Sequence, residues 1–238
     1  MLADNILASF TPGLILVTAV SLRTDLPPSQ TLTHLLKATL LSTLYTYIFD
    51  AINQAHGATE DKINKPYRPI PSGLTTPSGL VSRFWIAMAL YTTTDWAFDV
   101  LEWTLLWQTS TLIINTLCPP RHYFWCKTLC MSMGIAAQLS QAWQIVRPID
   151  AVGQRWIAFM AIVYPPPLVF EDMRDMEGDE AAGRRTLALM LGEGILRVCW
   201  TTVVRSLTMR SVKADRVTYQ LFIFSYIVVL SCGCILWA

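Results

Sequence analysis

FDAINQAHGATEDKINKPYRPIPSG, residues 49–73, begins as the end of an apolar helix and closes in a run of prolines, with acids between the two. Asn53, Gly57 and Asp61 are spaced i, i+4, i+8, so a helix continuing to Asp61 places them on one face, with Glu60 beside it. Lys65 and Arg68 follow, where Pro66, Pro69 and Pro71 remove backbone donors and end the helix. The apolar run before this stretch begins near Thr31 and has about the 20 residues that a helix needs to cross a bilayer. The stretch therefore reads as an acid-bearing helix end at a membrane boundary.

Similar apolar runs begin near Ile6, Val81, Asp99, Phe124, Arg155, Arg185 and Val217. They predict an all-α, polytopic transmembrane bundle of about eight helices, forming a single domain over residues 1–238. No alternation long enough for a sheet interrupts them. Composition agrees: 53% of residues are hydrophobic and 15% charged, with a mean hydropathy of +0.40, whereas a soluble domain carries about 25% charged residues. With a net charge of +1 and no basic aromatic stripe, nothing supports a nucleic-acid partner. The partner expected from composition is the lipid bilayer.

The joint from Asp95 to Glu102 holds three acids and reads as a surface turn or a shallow re-entrant piece. Pro165-Pro166-Pro167 is expected to break or kink the sixth helix just before a second acidic cluster. The first twenty-two residues hold no Lys or Arg, so they read as a retained first span rather than a signal peptide. Cys118, Cys126, Cys130, Cys199, Cys232 and Cys234 lie in or beside apolar stretches without zinc spacing and read as small packing residues. Lys and Arg are slightly in excess in the loops after helices two, four and six, which puts those loops in the cytosol.

The second acidic cluster is EDMRDMEGD, residues 171–179. Asp172, Asp175 and Asp179 are spaced i, i+3, i+7, again on one helical face, where three carboxylates repel one another unless a cation sits among them. Oxygen donors without His or Cys favour Mg²⁺, which keeps few protein ligands and bridges to phosphates. An open acidic face thus suits a metal–diphosphate complex. For either segment alone the alternative is a solvated helix end; grouped acids at membrane depth argue for a task.

At these residues the chain resembles the UbiA superfamily of intramembrane prenyltransferases. Residues 60–73 look like the ending of that family's first motif, and residues 172–187 look like its second almost in full. The usual first motif, NDxxDxxxD, stands here as Asn53, Gln54, Gly57 and Asp61, with Glu60 the one substitute charge. That variant is similar to a fungal-type branch that includes membrane sesquiterpene cyclases. The family usually has nine helices against the eight read here.

The resemblance implies two Mg²⁺ ions, one held by Asp172, Asp175 and Asp179 and one by Asn53, Glu60 and Asp61. Asp61, Asp172 and Asp175 are the implied catalytic acids. Asn53, Lys65, Arg68, Lys127 and Arg174 would bind the substrate's diphosphate, Lys127 at a basic position found at the head of the fifth helix in relatives. The implied reaction ionises geranyl or farnesyl diphosphate and transfers the prenyl group to a small aromatic acceptor, in terpenoid or meroterpenoid secondary metabolism. Cyclisation of farnesyl diphosphate by the same first step is the alternative, and a non-catalytic scaffold or transporter a remote third. The fungal-type resemblance also implies the endoplasmic reticulum, with the site facing the cytosol.

Aromatic residues such as Tyr45, Tyr47, Trp143, Phe159 and Tyr164 read first as membrane packing. Gln138, Gln141 and Gln144 read as bonds between helices rather than acceptor contacts. His56 and Asp50 stay open between boundary and functional roles.

Overall fold

The computed structural model describes residues 5–165 and 172–196, together with residue 198. The described residues form helices and no strand: α1 (Ile6–Arg23), α2 (Pro28–His56), α3 (Ala58–Asn64), α4 (Pro77–Ala97), α5 (Leu101–Leu112), α6 (Tyr123–Gln144), α7 (Ala151–Val163), α8 (Met176–Ala181) and α9 (Leu187–Leu191). A π-helical turn, Ile113–Leu117, extends α5, and a short 3₁₀ turn, Pro120–His122, leads into α6. Proline opens α2 and α4 at the first helical position, where its missing N–H costs nothing. Thr76 and Asp150 cap α4 and α7 through their side-chain oxygens.

Short connections make chain neighbours pack together: α2 lies against α1 and α4, α6 against α5, α7 and α1. The core between them holds Val17, Ile48, Phe84, Tyr91 and Trp107, all essentially inaccessible. Gln141 ties three helices at once, donating to Asp95 Oδ2 (2.7 Å) and Thr104 Oγ1 (2.9 Å) and accepting from the Tyr91 hydroxyl (2.8 Å). Gln144 donates to the Asp99 carbonyl (2.7 Å) and Glu102 (2.8 Å). Both act as the expected interhelical bonds. The Asp95–Glu102 segment is a tight turn with Asp99 at φ 58°, and Asp95 is buried beneath it.

Several expectations need correction. The second helix does not run on to Asp61: it stops at His56, Gly57 takes a non-helical ψ of 14°, and α3 starts afresh. A Cβ on Gly57 would lie 2.9 Å from the Asn53 carbonyl, so the break uses the absence of a side chain there. The helix expected from Arg185 starts at Leu187 as the five-residue α9, is interrupted at Gly192 (φ 79°) and resumes at Glu193; most of the remainder of that run lies outside the described residues. The run expected from Val217 lies outside the described residues. So do Pro166, Pro167, Cys199, Cys232 and Cys234, although α7 does end just before Pro165.

Cys118 and Cys126 are not independent packing residues. They form a disulfide that joins the end of the π-helical turn to the first turns of α6, while Cys130 is free and buried as expected. Pairing needs two chain points eight residues apart to meet, and the intervening turn at Pro119–Pro120 brings them together.

No described helix is long and apolar enough to cross a membrane. Hydroxyl residues lower the hydropathy of α2 and α4, but they are satisfied within their own helices. Thr39 donates to the Leu35 carbonyl (2.8 Å), Thr43 to Thr39 (2.7 Å) and Thr93 to Ala89 (3.0 Å).

Candidate active site

The two acidic segments, more than a hundred residues apart in sequence, meet at one end of the bundle, where α3 lies against α8. Asn64 joins them: its Nδ2 donates to the Asp175 carbonyl (2.9 Å), and its Oδ1 accepts from the Gly178 N–H (3.1 Å). Contact is this close because Gly178 has no side chain; a Cβ there would lie 2.2 Å from Asn64 Nδ2.

Ion pairs cross the same seam. Lys65 is paired with Asp175, which also accepts from Arg174 Nε at 3.2 Å. Lys127, at the head of α6, pairs with Asp172. Arg184 pairs with Glu60 and lies 3.4 Å from Asp179, its guanidinium stacked 4.5 Å from the Tyr123 ring centre. Arg68 Nη1 donates to both oxygens of Asp61, at 2.8 and 3.1 Å.

These groups are buried, and their titration reflects it. Burial raises Glu60 and Asp61 above the usual carboxylate range, outweighing the cations beside them. Burial, with Glu60 and Asp172 close by, pushes Asp179 up to about 7. Asp175 is equally desolvated, yet Lys65 and Arg174 hold it below its ordinary value. Arg184 is desolvated too, but Tyr123, Glu60 and Asp179 keep it more firmly protonated than usual.

The predicted residues sort into two groups. Asn53, Glu60, Lys65, Arg68, Lys127, Asp172, Asp175 and Asp179 all line one cavity. Asp61 does not line it; it sits behind Arg68 and orients that guanidinium. Arg174 also lies off the cavity and is exposed, and it touches the site through Asp175. The expected single helical face of Asp172, Asp175 and Asp179 is interrupted, because α8 begins only after Asp175, so that Asp172 and Asp175 both precede it. Among the described residues no three acidic, His or Cys side chains form a group that could hold a metal. Lys and Arg pair with these carboxylates.

Asn64, Arg184 and Tyr123 were not singled out from the sequence. Asn64 lies within the first motif and Arg184 within the second, but their partners lie across the fold, so the sequence carries no sign of the contacts they make.

Away from the charges, the cavity, about 150 Å³, is walled by Tyr45, Phe49, Trp107, Met131 and Ile135. Tyr45 and Trp107 stack at 4.2 Å with 12° between their planes, and Phe49 lies 5.4 Å from the same indole. The indole N–H donates to the Tyr45 carbonyl at 3.0 Å, which fixes the stack. Tyr45 and Tyr164 thus face a cavity; Tyr47, Trp143 and Phe159 do not line it.

A helical bundle with paired acid–base segments at the mouth of an aromatic-walled cavity has the layout of an enzyme that handles an anionic head and an apolar tail. Over residues 12–238 the chain matches the UbiA prenyltransferase family, and it belongs to that family. It is 35% identical to a somaliensene A/B synthase of Streptomyces somaliensis, over 79% of this chain and 62% of that protein. It is 35% identical to the diterpene cyclase eriG of Hericium erinaceus, over 76% and 59%. To the polyprenyl transferase eriF of the same fungus it is 31% identical, over 78% and 65%. The chain thus spans about three fifths of the length of these relatives. No solved structure matches it.

Proposed function

We propose that the protein ionises an isoprenyl diphosphate and lets the prenyl cation cyclise within its own cavity. One observation carries this reading: a single cavity runs from the Lys65–Asp175 and Lys127–Asp172 pairs to the stacked wall of Tyr45, Phe49 and Trp107. The identity to a terpene synthase and a diterpene cyclase supports it, and that to a polyprenyl transferase supports transfer.

The donor set fits Mg²⁺. It offers only carboxylate and amide oxygens, and the one guanidinium of Arg184 serves both Glu60 and Asp179. Asp172, Asp175 and Asp179, with Glu60 and Asn53 opposite, are the residues that would hold it. Bound Mg²⁺ would stabilise the charge that grows on the departing diphosphate.

Lys65, Arg68, Lys127 and Arg184 supply further cations, each leaving a carboxylate for a phosphate oxygen. The prenyl tail lies along the aromatic wall, whose π faces attract the cation and whose burial keeps water from quenching it.

Transfer to an acceptor is the second reading. A polar side chamber, lined by His56, Asn115, Asn53 and Arg184, opens beside the diphosphate end, and His56 Nδ1 donates to the Asn115 carbonyl at 2.6 Å. Membranes holding the protein, Mg²⁺ and farnesyl diphosphate distinguish the two. Cyclic hydrocarbon without acceptor is expected; a product only when a phenol is added would favour transfer.

The bundle is proposed to lie in the endoplasmic reticulum membrane, with the site facing the cytosol. Its outer surface supports this, exposing Leu36, Leu40, Ile86, Leu90, Leu129 and Ile162 in the long helices. In that compartment thiols stay reduced, so Cys118 and Cys126 are expected as a dithiol in cells. A membrane-impermeant maleimide should label them in sealed microsomes without prior reduction, and a C118S/C126S variant should lose that label. Label gained only after lysis and reduction would place the site in the lumen.

A further inference from the structure

Trp107 reaches across the bundle from α5 and is held at both ends of its indole. At one end its N–H donates to the Tyr45 carbonyl of α2 (3.0 Å). At the other, its six-membered ring lies against α6 at Gly134, where there is no room for a side chain. A Cβ there would stand 2.9 Å from Trp107 Cε3 and 2.6 Å from the Tyr45 hydroxyl, and closer still to Trp107 Cζ3. Something must therefore move if residue 134 gains a methyl.

The helix is not free to retreat. Gln141 donates to Thr104 Oγ1 (2.9 Å) and Cys130 Sγ to the Ser110 carbonyl (3.5 Å), fastening α6 to α5 on either side of Gly134. Gln138 adds a bond to the Ser9 carbonyl of α1. Nor can the indole slide lengthwise toward α2, because the Tyr45 carbonyl already meets its N–H. The open space beside the indole is the cavity, which Trp107, Tyr45 and Phe49 help to wall. A methyl at residue 134 therefore drives the stacked rings into that space.

Gly134 follows Lys127 by seven residues, which is two turns or about 10 Å along α6. The displaced rings would meet the apolar tail of a substrate rather than its diphosphate. The limit they set is one of volume. It applies to a tail coiled for ring closure as much as to one laid straight.

Resting on the reading that a prenyl tail occupies this cavity, we propose that Gly134 is a specificity-determining residue. Its missing side chain lets the Trp107–Tyr45 pair stand back, and this admits isoprenyl diphosphates longer than geranyl diphosphate.

The test measures kcat/KM for diphosphate release from geranyl, farnesyl and geranylgeranyl diphosphate in Mg²⁺-loaded membranes, with and without a phenol. Release is then read whichever way the cation is captured. In Gly134→Ala, kcat/KM for the longest substrate accepted should fall about tenfold relative to geranyl diphosphate, the lower end of what one methylene decides in an apolar pocket. Adding Trp107→Phe, whose smaller ring makes room for the methyl, should bring that ratio back toward the unaltered value. If Gly134→Ala does not accumulate, Trp107→Phe alone is expected to raise the ratio.

A general disturbance of the fold would slow all three substrates alike. Unchanged ratios in these variants, or an unaltered protein that accepts geranyl diphosphate alone, would overturn the role of Gly134 and leave the ionisation reading standing. No release from any of the three by the unaltered protein would overturn both.

Discussion

Asp175→Ala is expected to abolish diphosphate release, by about a thousandfold or more, in a protein that still accumulates at normal levels. Asp175 engages Lys65 with one carboxylate oxygen and Arg174 with the other, and its backbone carbonyl accepts from Asn64. Removing the carboxylate leaves Lys65 buried without its counter-charge, a penalty of about 3–5 kcal/mol for a broken buried pair. It also takes an oxygen from the set that would hold Mg²⁺, and losing one preorganised electrostatic partner commonly costs about 10²–10³ in rate. Asp172→Ala should behave alike, since Lys127 depends on Asp172 in the same way. The check is release of diphosphate from farnesyl diphosphate at matched protein amounts. Near-normal turnover in either variant would refute the metal assignment.

Gly178→Ala should be nearly as damaging, although it removes no charge. The added methyl would lie 2.2 Å from Asn64 Nδ2 and 2.7 Å from its Cγ, so α3 and α8 must part or Asn64 must leave. Either outcome breaks the two hydrogen bonds that set Lys65 opposite Asp175. A displacement near 1 Å at a reacting centre costs about a hundredfold, and that is the loss expected here. Helical content and thermal unfolding of the long helices should change little, because the clash is confined to the seam. Adding Asn64→Ala to Gly178→Ala makes room for the methyl. If the clash is the cause, the double variant should be more active than Gly178→Ala alone, a coupling that independent effects would not give.

Helix positions were largely legible in the sequence. Starts read near Ile6, Val81, Phe124 and Arg155 fall within four residues of the observed Ile6, Pro77, Tyr123 and Ala151, since proline and capping residues mark them locally. The pairing of α3 with α8 was legible only as an inference from two acidic segments on one predicted side. How they touch was not, because Asn64 and Gly178 carry no local signal of each other across 114 residues.

Gly57 misled the reading in a specific way. The i, i+4, i+8 spacing held in sequence, but the helix broke in the middle of it, so Asp61 turned away from the cavity toward Arg68. The glutamines of α6 were assigned correctly where both amide ends found protein partners, and incompletely at Gln138, where one did not. The Cys118–Cys126 pairing depended on a turn at Pro119–Pro120 whose geometry eight residues of sequence do not reveal.

Every carboxylate at the mouth of the cavity already has a base: Lys127 for Asp172, Lys65 for Asp175, Arg68 for Asp61, and Arg184 for Glu60 and Asp179. Charge in the cleft is therefore largely met by the polypeptide itself, with Arg184 shared between two carboxylates, so substrate loading becomes mainly an exchange of partners. Discharge of the product then runs the exchange backwards, with the side chains closing on one another and helping to expel the anion that parted them.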